Sequence, residues 1–249
     1  MSVLHPSTLV LHPDFAGLEA FVRSLPERFA ADEGTVIYRG RNELRLFEHA
    51  GRRLVVKAFR RPHLINRFVY GTLRPSKAKR SYDNACLLCR LGIGTPHPVG
   101  YLNVRSAAGL LFDRSYFVTL ESACTHRYQE LFEQPFAYED DVTRAIGRLT
   151  ARLHENGLAH KDYGRANILF EQQADGSIAL DLVDLNRMDF GPLDLKAGCK
   201  NFERLPATPH MHRCMAEAYA EARGFDAEEC FRLMQAYRST QPGKIDDKY

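Results

Sequence analysis

A short polar stretch between two apolar segments carries the groups of this sequence that are best suited to chemistry. Asp162 lies within it, Asn167 follows five positions later, and Asp184 comes after the next apolar run. A carboxylate can take a proton from a hydroxyl group, and carboxylate and amide oxygens are ligands that Mg²⁺ prefers. Phosphoryl transfer needs both kinds of group. The alternative interpretation is a polar loop that only caps a hairpin.

The surrounding segments predict how these residues are positioned. Residues 140–156 have helical periodicity, and Gly157 is placed to end that helix. The apolar runs 168–170 and 178–183 are joined by a segment that contains Asp-Gly, which is a hairpin signal. We therefore expect the first aspartate in a loop, the asparagine at the start of one strand and the second aspartate at the end of the next. A hairpin of this kind can bring the three side chains together.

The amino-terminal half is predicted to be an antiparallel meander that follows one short helix. An amphipathic helix is expected over residues 14–25, ended by Pro26, and strands over 35–38, 44–48 and 53–59. This half should therefore be rich in strands.

Further elements are predicted downstream. Helices are expected over 77–91 and 127–134, strands from Val99 and over 115–120, and closing helices over 208–223 and 227–237. The carboxy-terminal half should therefore be mainly helical.

Lys57 ends the apolar run of the third strand, where a lysine needs a partner unless it faces solvent. Together with the three downstream residues it resembles the protein kinase signature of a strand lysine, an H-R-D loop with a following Asn, and a later metal-binding Asp. The resemblance implies that Asp162 is the catalytic base, that Asn167 and Asp184 hold Mg²⁺, and that Lys57 binds the phosphates of ATP. A solvent-facing lysine is the alternative for Lys57.

The same resemblance suggests further nucleotide-site residues. Asp83 lies where kinases place the acidic partner of the strand lysine, although a surface pair with Lys79, four residues away, is the alternative. Gly40 and Asn42 stand where a kinase has its glycine-rich loop, and Asn42 could adopt a positive φ. The alternative there is a plain hairpin turn.

Residues after the strand over 115–120 correspond to the kinase hinge between lobes. Backbone groups near Glu121 and Ala123 are expected to bind adenine. After Asp184, Asn186 is expected to substitute for the glycine of the kinase D-F-G sequence in a turn. No long activation segment with an A-P-E ending follows, which favours a small or non-peptide acceptor.

More narrowly, segments 76–82, 91–99, 160–162 and 183–187 resemble the bacterial lipopolysaccharide kinase family of the Kdo/WaaP type. The G-I-x-T-P-x-P turn and the D-L-N-R ending favour this family among kinase-like proteins. The resemblance implies ATP- and Mg²⁺-dependent phosphorylation of a sugar in the lipopolysaccharide inner core, Kdo or heptose, or of a related glycolipid. A kinase-like enzyme for another small molecule and a non-catalytic scaffold are the alternatives.

The resemblance also implies an α+β, bilobal protein kinase-like fold. Residues 1–121 would form an N-lobe with an antiparallel sheet, and residues 122–249 a mainly helical C-lobe. The expected partners are ATP, a glycolipid or sugar acceptor and an anionic membrane surface. Basic residues suited to phosphate head groups, or to a merely solvated surface, are Arg60, Arg61, Arg67, Arg74, Lys77, Lys79 and Arg80.

Bulk properties limit the remaining possibilities. The chain has 249 residues, is 45% hydrophobic and carries a net charge of only +3, so no nucleic-acid partner is expected. Its six cysteines fit no secreted disulfide framework. Cys86 and Cys89 form a C-x-x-C sequence within a helical pattern, expected to be two buried thiols. No signal peptide or membrane span is recognisable, so we expect a cytoplasmic protein, peripheral at the inner face of the cytoplasmic membrane.

Overall fold

The computed structural model describes residues 7–60, 75–105 and 112–239. The chain forms two compact units: the first comprises residues 1–89 and 96–122, and the second comprises residues 90–95 and 123–249.

The first unit is built on a six-stranded antiparallel sheet with the strand order β1-β5-β6-β4-β3-β2. Its strands are β1 (Thr8–Leu11), β2 (Thr35–Arg39), β3 (Glu43–His49), β4 (Arg52–Phe59), β5 (Pro98–Arg105) and β6 (Phe112–Leu120). The predicted meander is confirmed as β2, β3 and β4, and the later strands as β5 and β6. Strand β1 was not predicted; its four residues pair with β5 at the edge of the sheet.

The amino-terminal helical segment differs from its prediction. A 3-10 helix (Pro13–Leu18) precedes α1 (Glu19–Arg23) and α2 (Leu25–Ala30). The expectation that Pro26 ends a helix is wrong, because this proline lies in the first turn of α2. Proline is tolerated there since the first backbone N–H groups of a helix have no partner within it.

Each face of the sheet is covered by apolar side chains. On one face, Phe21 and Leu25 pack in a cluster that includes Leu54, Val56 and Ala58 of β4. Side chains alternate along a strand, so Lys57 and Phe59 project from the opposite face.

On that opposite face, Phe59 packs with Ala78 and Tyr101. Ala78 belongs to α3 (Lys77–Arg90), which is followed by Gly92 with a φ of 63°. The face of β4 that carries Lys57 is therefore the one packed against α3.

The second unit is mainly helical. It contains α4 (Glu139–Glu155), α5 (Leu195–Lys200), α6 (Pro209–Arg223) and α7 (Ala227–Ser239), with strands β7 (His126–Arg127), β8 (Leu158–His160), β9 (Ile168–Gln172), β10 (Ile178–Leu182) and β11 (Met188–Phe190). The helix expected over 127–134 is a shorter 3-10 helix, Tyr128–Phe132.

Two predictions for the carboxy-terminal half are confirmed directly. The apolar stripe of α4 is buried, and Gly157 follows that helix with a φ of 67°. Strands β9 and β10 form the predicted antiparallel hairpin. The pairing of β8 with β11 was not predicted, because strands of three residues are too short to show alternation.

The six cysteines all lie within the described residues, and they form no disulfide there. Cys86 is half-buried and Cys89 is exposed, so the expectation of two buried thiols is wrong: the outer face of α3 carries the second one. Among the described helices, none combines the length and apolar character needed to cross a bilayer.

Candidate active site

The open end of the β9–β10 hairpin brings two of the predicted site residues side by side. Ile168 pairs with Leu182 at the end of the ladder, and the backbone N–H of Val183 then donates to the carbonyl of Asn167 at 3.0 Å. Asp184 is the next residue. The hairpin predicted from sequence therefore places Asn167 and Asp184 together at its open end.

Asp184 has an unusual backbone conformation. Its φ is 60°, in the left-handed region where a residue other than glycine costs about 1–2 kcal/mol. Its Oδ1 accepts a hydrogen bond from Asn186 Nδ2 at 2.5 Å. The expectation that Asn186 itself takes the glycine-like position is wrong; Asn186 instead holds the aspartate. Strain of this kind is typical of functional positions, where the fold must over-determine the conformation.

The G-I-x-T-P-x-P turn supports the same strand end. Gly94 accepts a hydrogen bond at its carbonyl from the Leu182 N–H at 2.9 Å, and Thr95 Oγ1 donates to the Leu182 carbonyl at 2.8 Å. A Cβ atom at position 94 would lie 1.7 Å from the Leu180 carbonyl oxygen, so only glycine fits. The turn therefore fixes the end of β10, two residues before Asp184.

Asn167 also fixes the loop that carries Asp162. Its Nδ2 donates to the Asp162 carbonyl at 2.8 Å. This bond sets the orientation of the amide, because only the nitrogen can donate. The Oδ1 atom of Asn167 therefore points elsewhere, and together with the Asp184 carboxylate it supplies two hard oxygen donors. This donor set fits Mg²⁺.

Two arginines that sequence reasoning did not assign surround Asp162. Arg187 and Arg204 each donate to Asp162 Oδ1, at 3.1 and 3.2 Å. The three side chains are 23%, 51% and 43% exposed, in the order Asp162, Arg187, Arg204. Arg187 belongs to the D-L-N-R sequence, but Arg204 lies 42 residues from Asp162 and no local pattern marks it. The carboxylate therefore lies in an electropositive setting.

His160 joins the loop to the end of β10. The Asp162 N–H donates to its Nδ1 at 3.1 Å, so the other ring nitrogen carries the hydrogen and donates to the Val183 carbonyl at 3.1 Å. The ring is fully buried, and burial lowers the pKa of His160. A neutral imidazole with one donor and one acceptor matches both partners.

A chain of hydrogen bonds supports His160 from the helical core. Asn201 Nδ2 donates to the His160 carbonyl at 2.9 Å, which leaves Asn201 Oδ1 to accept from His154 Nε2 at 3.0 Å. His154 Nδ1 then accepts from the Tyr219 hydroxyl at 2.8 Å, and that oxygen accepts from Arg223 at 3.0 Å. Every donor in this series of hydrogen bonds has one acceptor. The chain links residues far apart in sequence, so periodicity could not reveal it.

The first unit carries the predicted phosphate-binding lysine. Lys57 is half-buried, and its Nζ lies 5.3 Å from the centre of the Phe59 ring. Asp83 is exposed on α3 and accepts from Lys79 Nζ at 2.8 Å. Asp83 thus has the surface partner that the sequence left open, and its pairing with Lys57 stays a prediction.

The β2–β3 loop, residues 40–42, departs from its expectation. Neither Gly40 nor Asn42 has a positive φ; the Gly40 N–H donates to the Asn42 carbonyl at 3.0 Å. Asn42 Oδ1 accepts from the Arg60 N–H at 3.3 Å. Asn42 therefore caps the end of β4 rather than taking a glycine-like conformation.

The two predicted adenine-binding residues, Glu121 and Ala123, differ in their contacts and exposure. The Glu121 N–H donates to the Arg53 carbonyl at 2.9 Å, and its carboxylate pairs with the Arg53 guanidinium. Ala123 is exposed in a bend.

In the predicted basic cluster, Arg61, Arg67 and Arg74 lie outside the described residues.

Comparisons with known proteins identify the family and the fold. The model of the "Lipopolysaccharide kinase (Kdo/WaaP) family" matches residues 33–237. No curated protein matches the chain. Among solved structures, WaaP in complex with acyl carrier protein aligns with a TM-score of 0.62 and 19% identity, over 93% of this chain and 97% of that one. The Rio2 kinase of Chaetomium thermophilum, solved as an ADP/Mg²⁺-phosphoaspartate complex, aligns with a TM-score of 0.49 and 17% identity, over 91% and 78% of the two chains. The alignment with WaaP confirms the predicted fold class.

Proposed function

The chain belongs to the lipopolysaccharide kinase (Kdo/WaaP) family and is a phosphotransferase, and from this premise we propose that it transfers the γ-phosphoryl group of ATP to a sugar hydroxyl of the lipopolysaccharide inner core. The acceptor is a Kdo or heptose residue, or a related anionic glycolipid, and the reaction uses Mg²⁺. The observation that carries the proposal is the hairpin end that brings Asn167 and Asp184 together beside the loop of Asp162.

Asp162 is the residue that takes the proton of the acceptor hydroxyl. Both arginine contacts are made to Oδ1, which leaves Oδ2 for the hydroxyl. A positioned carboxylate of this kind contributes about 10²–10⁴-fold to a rate. The loop geometry set by His160 and Asn167 holds the carboxylate in place before the substrate arrives.

Asn167 and Asp184 hold the metal ion through their side-chain oxygens. When bound, Mg²⁺ supplies charge neutralisation of the transferring phosphate. The backbone of Asp184 is held in its left-handed conformation by Asn186, and the preceding strand end by Gly94 and Thr95. These contacts together fix the orientation of the Asp184 carboxylate.

In the nucleotide site, Lys57 binds the α- and β-phosphates and Asp83 orients it. The Gly40–Asn42 loop lies along the phosphates, and backbone groups near Glu121 and Ala123 bind adenine. Because the Glu121 N–H is already bonded to Arg53, its carbonyl is the group that remains for the base. These assignments follow the kinase pattern and rest on the half-buried position of Lys57 on the α3 face of the sheet.

The charge around Asp162 supports an anionic acceptor. Arg187 and Arg204 are both about half exposed and close to the carboxylate, so a phosphate or carboxylate group next to the acceptor hydroxyl would meet two guanidinium groups. Sugars of the inner core carry such groups, and the reaction would take place at the inner face of the cytoplasmic membrane.

The test is phosphorylation of defined acceptors by the purified protein. We expect ADP to form, and the acceptor to gain the mass of one phosphate group, only when Mg²⁺, ATP and a core oligosaccharide with Kdo and heptose are all present. Asp162→Ala should abolish both signals while nucleotide binding remains. Asp189→Asn removes an exposed carboxylate that pairs with Lys161, and serves as the matched control.

Another outcome would favour a different function. The glycine-poor loop at Gly40 and Asn42 motivates a non-catalytic scaffold as the second candidate. Nucleotide binding without ADP release for any core sugar, and with no difference between wild type and Asp162→Ala, would support the scaffold.

A further inference from the structure

A cluster of side chains that can ligate a metal lies in the first unit, and none of its members is among the residues assigned to catalysis. His12, Asp14 and His97 each place one ligand atom within 4.8 Å of the others. We propose that these three residues form a binding site for a transition-metal dication, with Zn²⁺ as the expected ion. The proposal does not depend on the proposed kinase function.

Backbone hydrogen bonds hold both histidines in place. The His12 N–H, just after β1, donates to the Val99 carbonyl at 2.8 Å. The His97 carbonyl, just before β5, accepts from the Leu120 N–H at 2.9 Å. Strands β1 and β5 are neighbours in the sheet, so these bonds hold the two imidazoles next to each other. A site anchored on strand ends needs little rearrangement to bind an ion.

The two imidazole rings lie close together and edge to face. Their centroids are 5.1 Å apart and their planes are nearly perpendicular, at 85°. Phe15, which is buried, contacts the His97 ring edge-on at 5.4 Å and limits its rotation. Both histidines are half-buried, so an ion between them would be partly shielded from water.

The hydrogen bonds of the rings identify the lone pairs. His97 Nδ1 lies 3.3 Å from the Pro98 carbonyl and must donate to it, so its Nε2 keeps the lone pair. A ligating histidine typically donates its other N–H to a carbonyl in this way. His12 Nδ1 accepts from the Asp14 N–H at 3.4 Å, a long and weak bond that a metal–nitrogen bond would replace.

The distance between two of the ligand atoms matches a bound ion. His12 Nδ1 and Asp14 Oδ2 are 3.4 Å apart. Ligands at the zinc–nitrogen and zinc–oxygen lengths of about 2.0–2.2 Å in a tetrahedral site lie about 3.3–3.6 Å from each other. Two imidazoles and one carboxylate favour Zn²⁺ over Mg²⁺, which prefers oxygen ligands, and leave a fourth position for water.

A second cluster of the described residues is a useful control. His210 Nε2 lies 2.7 Å from Asp140 Oδ1 and 3.8 Å from Cys214 Sγ. A carboxylate accepts, so this nitrogen carries the hydrogen and presents no lone pair to an ion. The same nitrogen makes both contacts, and the cluster is not arranged for a metal.

The test is Zn²⁺ titration of the full-length, chelator-treated protein in competition with a colorimetric chelator. We expect one site whose affinity falls at least about tenfold in His97→Gln and in His12→Gln. The same variants should lose the upward shift in the thermal unfolding midpoint that Zn²⁺ causes in the wild type. His210→Gln should retain both the affinity and the shift. Circular dichroism without metal confirms that each variant is folded, and the exposed Asp14→Asn is the substitute if a histidine variant is not.

Co²⁺ distinguishes the two clusters by their ligands. A His12–Asp14–His97 site has no thiolate, so its cobalt spectrum should lack a thiolate charge-transfer band. Absence of Zn²⁺ binding in the wild type, equal affinity in wild type and His97→Gln, or a thiolate band that disappears in Cys214→Ala would each overturn the proposal.

Discussion

The loop of Asp162 and the β2–β3 loop are the two segments that a kinase pattern would place at the phosphates, and this protein builds them differently. The loop of Asp162, residues 160–167, is held by His160, Asn167 and Asn201 through bonds to buried backbone and side-chain groups. The β2–β3 loop follows an edge strand in which all five residues are exposed. Buried polar contacts therefore concentrate at the loop to which we assign proton removal and metal binding.

The difference has a physical reason. A residue that must accept a proton or bind an ion gains most from being held in its reactive geometry beforehand. A loop that only approaches phosphates with its backbone can be ordered by the nucleotide itself. If this comparison is correct, variants of the buried, hydrogen-bonded residues that hold the loop of Asp162 should lower kcat and stability strongly, and variants in the β2–β3 loop should leave kcat and stability nearly unchanged.

The largest effect is expected for Asn167. Asn167→Ala removes a proposed metal ligand and the donor to the Asp162 carbonyl, so kcat for phosphoryl transfer should fall about 10²–10³-fold. Asn167→Asp keeps an oxygen ligand but loses the donor, and its activity should recover partly at high Mg²⁺. Steady-state kinetics over a range of Mg²⁺ concentrations measures both. Equal activity of the alanine variant and the wild type would break the comparison at its strongest point.

The next effect concerns Asn201, to which the proposed mechanism gives no contact with the substrate. Asn201→Ala leaves the buried His160 carbonyl and the His154 N–H without their partner. At about 1–3 kcal/mol for each unsatisfied buried group, the free energy of unfolding should fall by about 3 kcal/mol. Urea unfolding at neutral pH measures the loss, and kcat should fall with KM for ATP unchanged. Arg165→Ala, which changes an exposed residue in the loop of Asp162, is the control.

A pH effect should follow from His154 in the same network. Burial lowers the pKa of His154 to about 4, below the value of about 6.5 expected in the unfolded chain. The unfolded state therefore binds the proton more readily, and stability is fully present above about pH 6.5 and decreases as the pH falls toward 4. Between pH 7 and pH 5 the loss should be about 2 kcal/mol for this residue.

Urea unfolding of His154→Gln at pH 7 and pH 5 tests this prediction, because the difference in unfolding free energy between the two pH values should be about 2 kcal/mol smaller in the variant.

His212 is a second buried histidine. Neither of its ring nitrogens has a hydrogen-bond partner within the described residues, and burial lowers its pKa to about 4. His212→Gln should flatten the same window. If the pH dependence were identical in both variants and the wild type, the buried network would not be protonation-sensitive.

Sequence reasoning found the residues whose roles are local. The β9–β10 hairpin, the helix before it and the position of Asp184 followed from periodicity and an Asp-Gly turn. The left-handed residue was assigned to Asn186 rather than to Asp184, because propensity favours asparagine. Tertiary contacts reversed that preference: the strand end is fixed by the turn at Gly94, and Asn186 is used as a donor.

Other features could not be predicted because they depend on contacts between distant segments. Arg204 reaches Asp162 across 42 positions, and Asn201 reaches His160 across 41. Neither arginine nor asparagine has a spacing that marks such a role, so only the fold reveals them.

The smallest effect is expected in the β2–β3 loop. Gly40 has no positive φ, and the atoms nearest to a Cβ atom there belong to the exposed ring of Tyr38, which can move aside. Gly40→Ala should therefore change the free energy of unfolding by less than about 0.5 kcal/mol. If the loop approaches the nucleotide, KM for ATP should rise while kcat stays constant, because only binding is affected. Asn42→Ser is the second test variant in this loop, and Gly51→Ala, in the turn between β3 and β4, is unsuitable as a control since the φ of Gly51 is 70°. An unchanged KM in both variants would show that residues 40–42 are a plain hairpin turn, and would assign phosphate binding in the first unit to Lys57 alone among the residues proposed there.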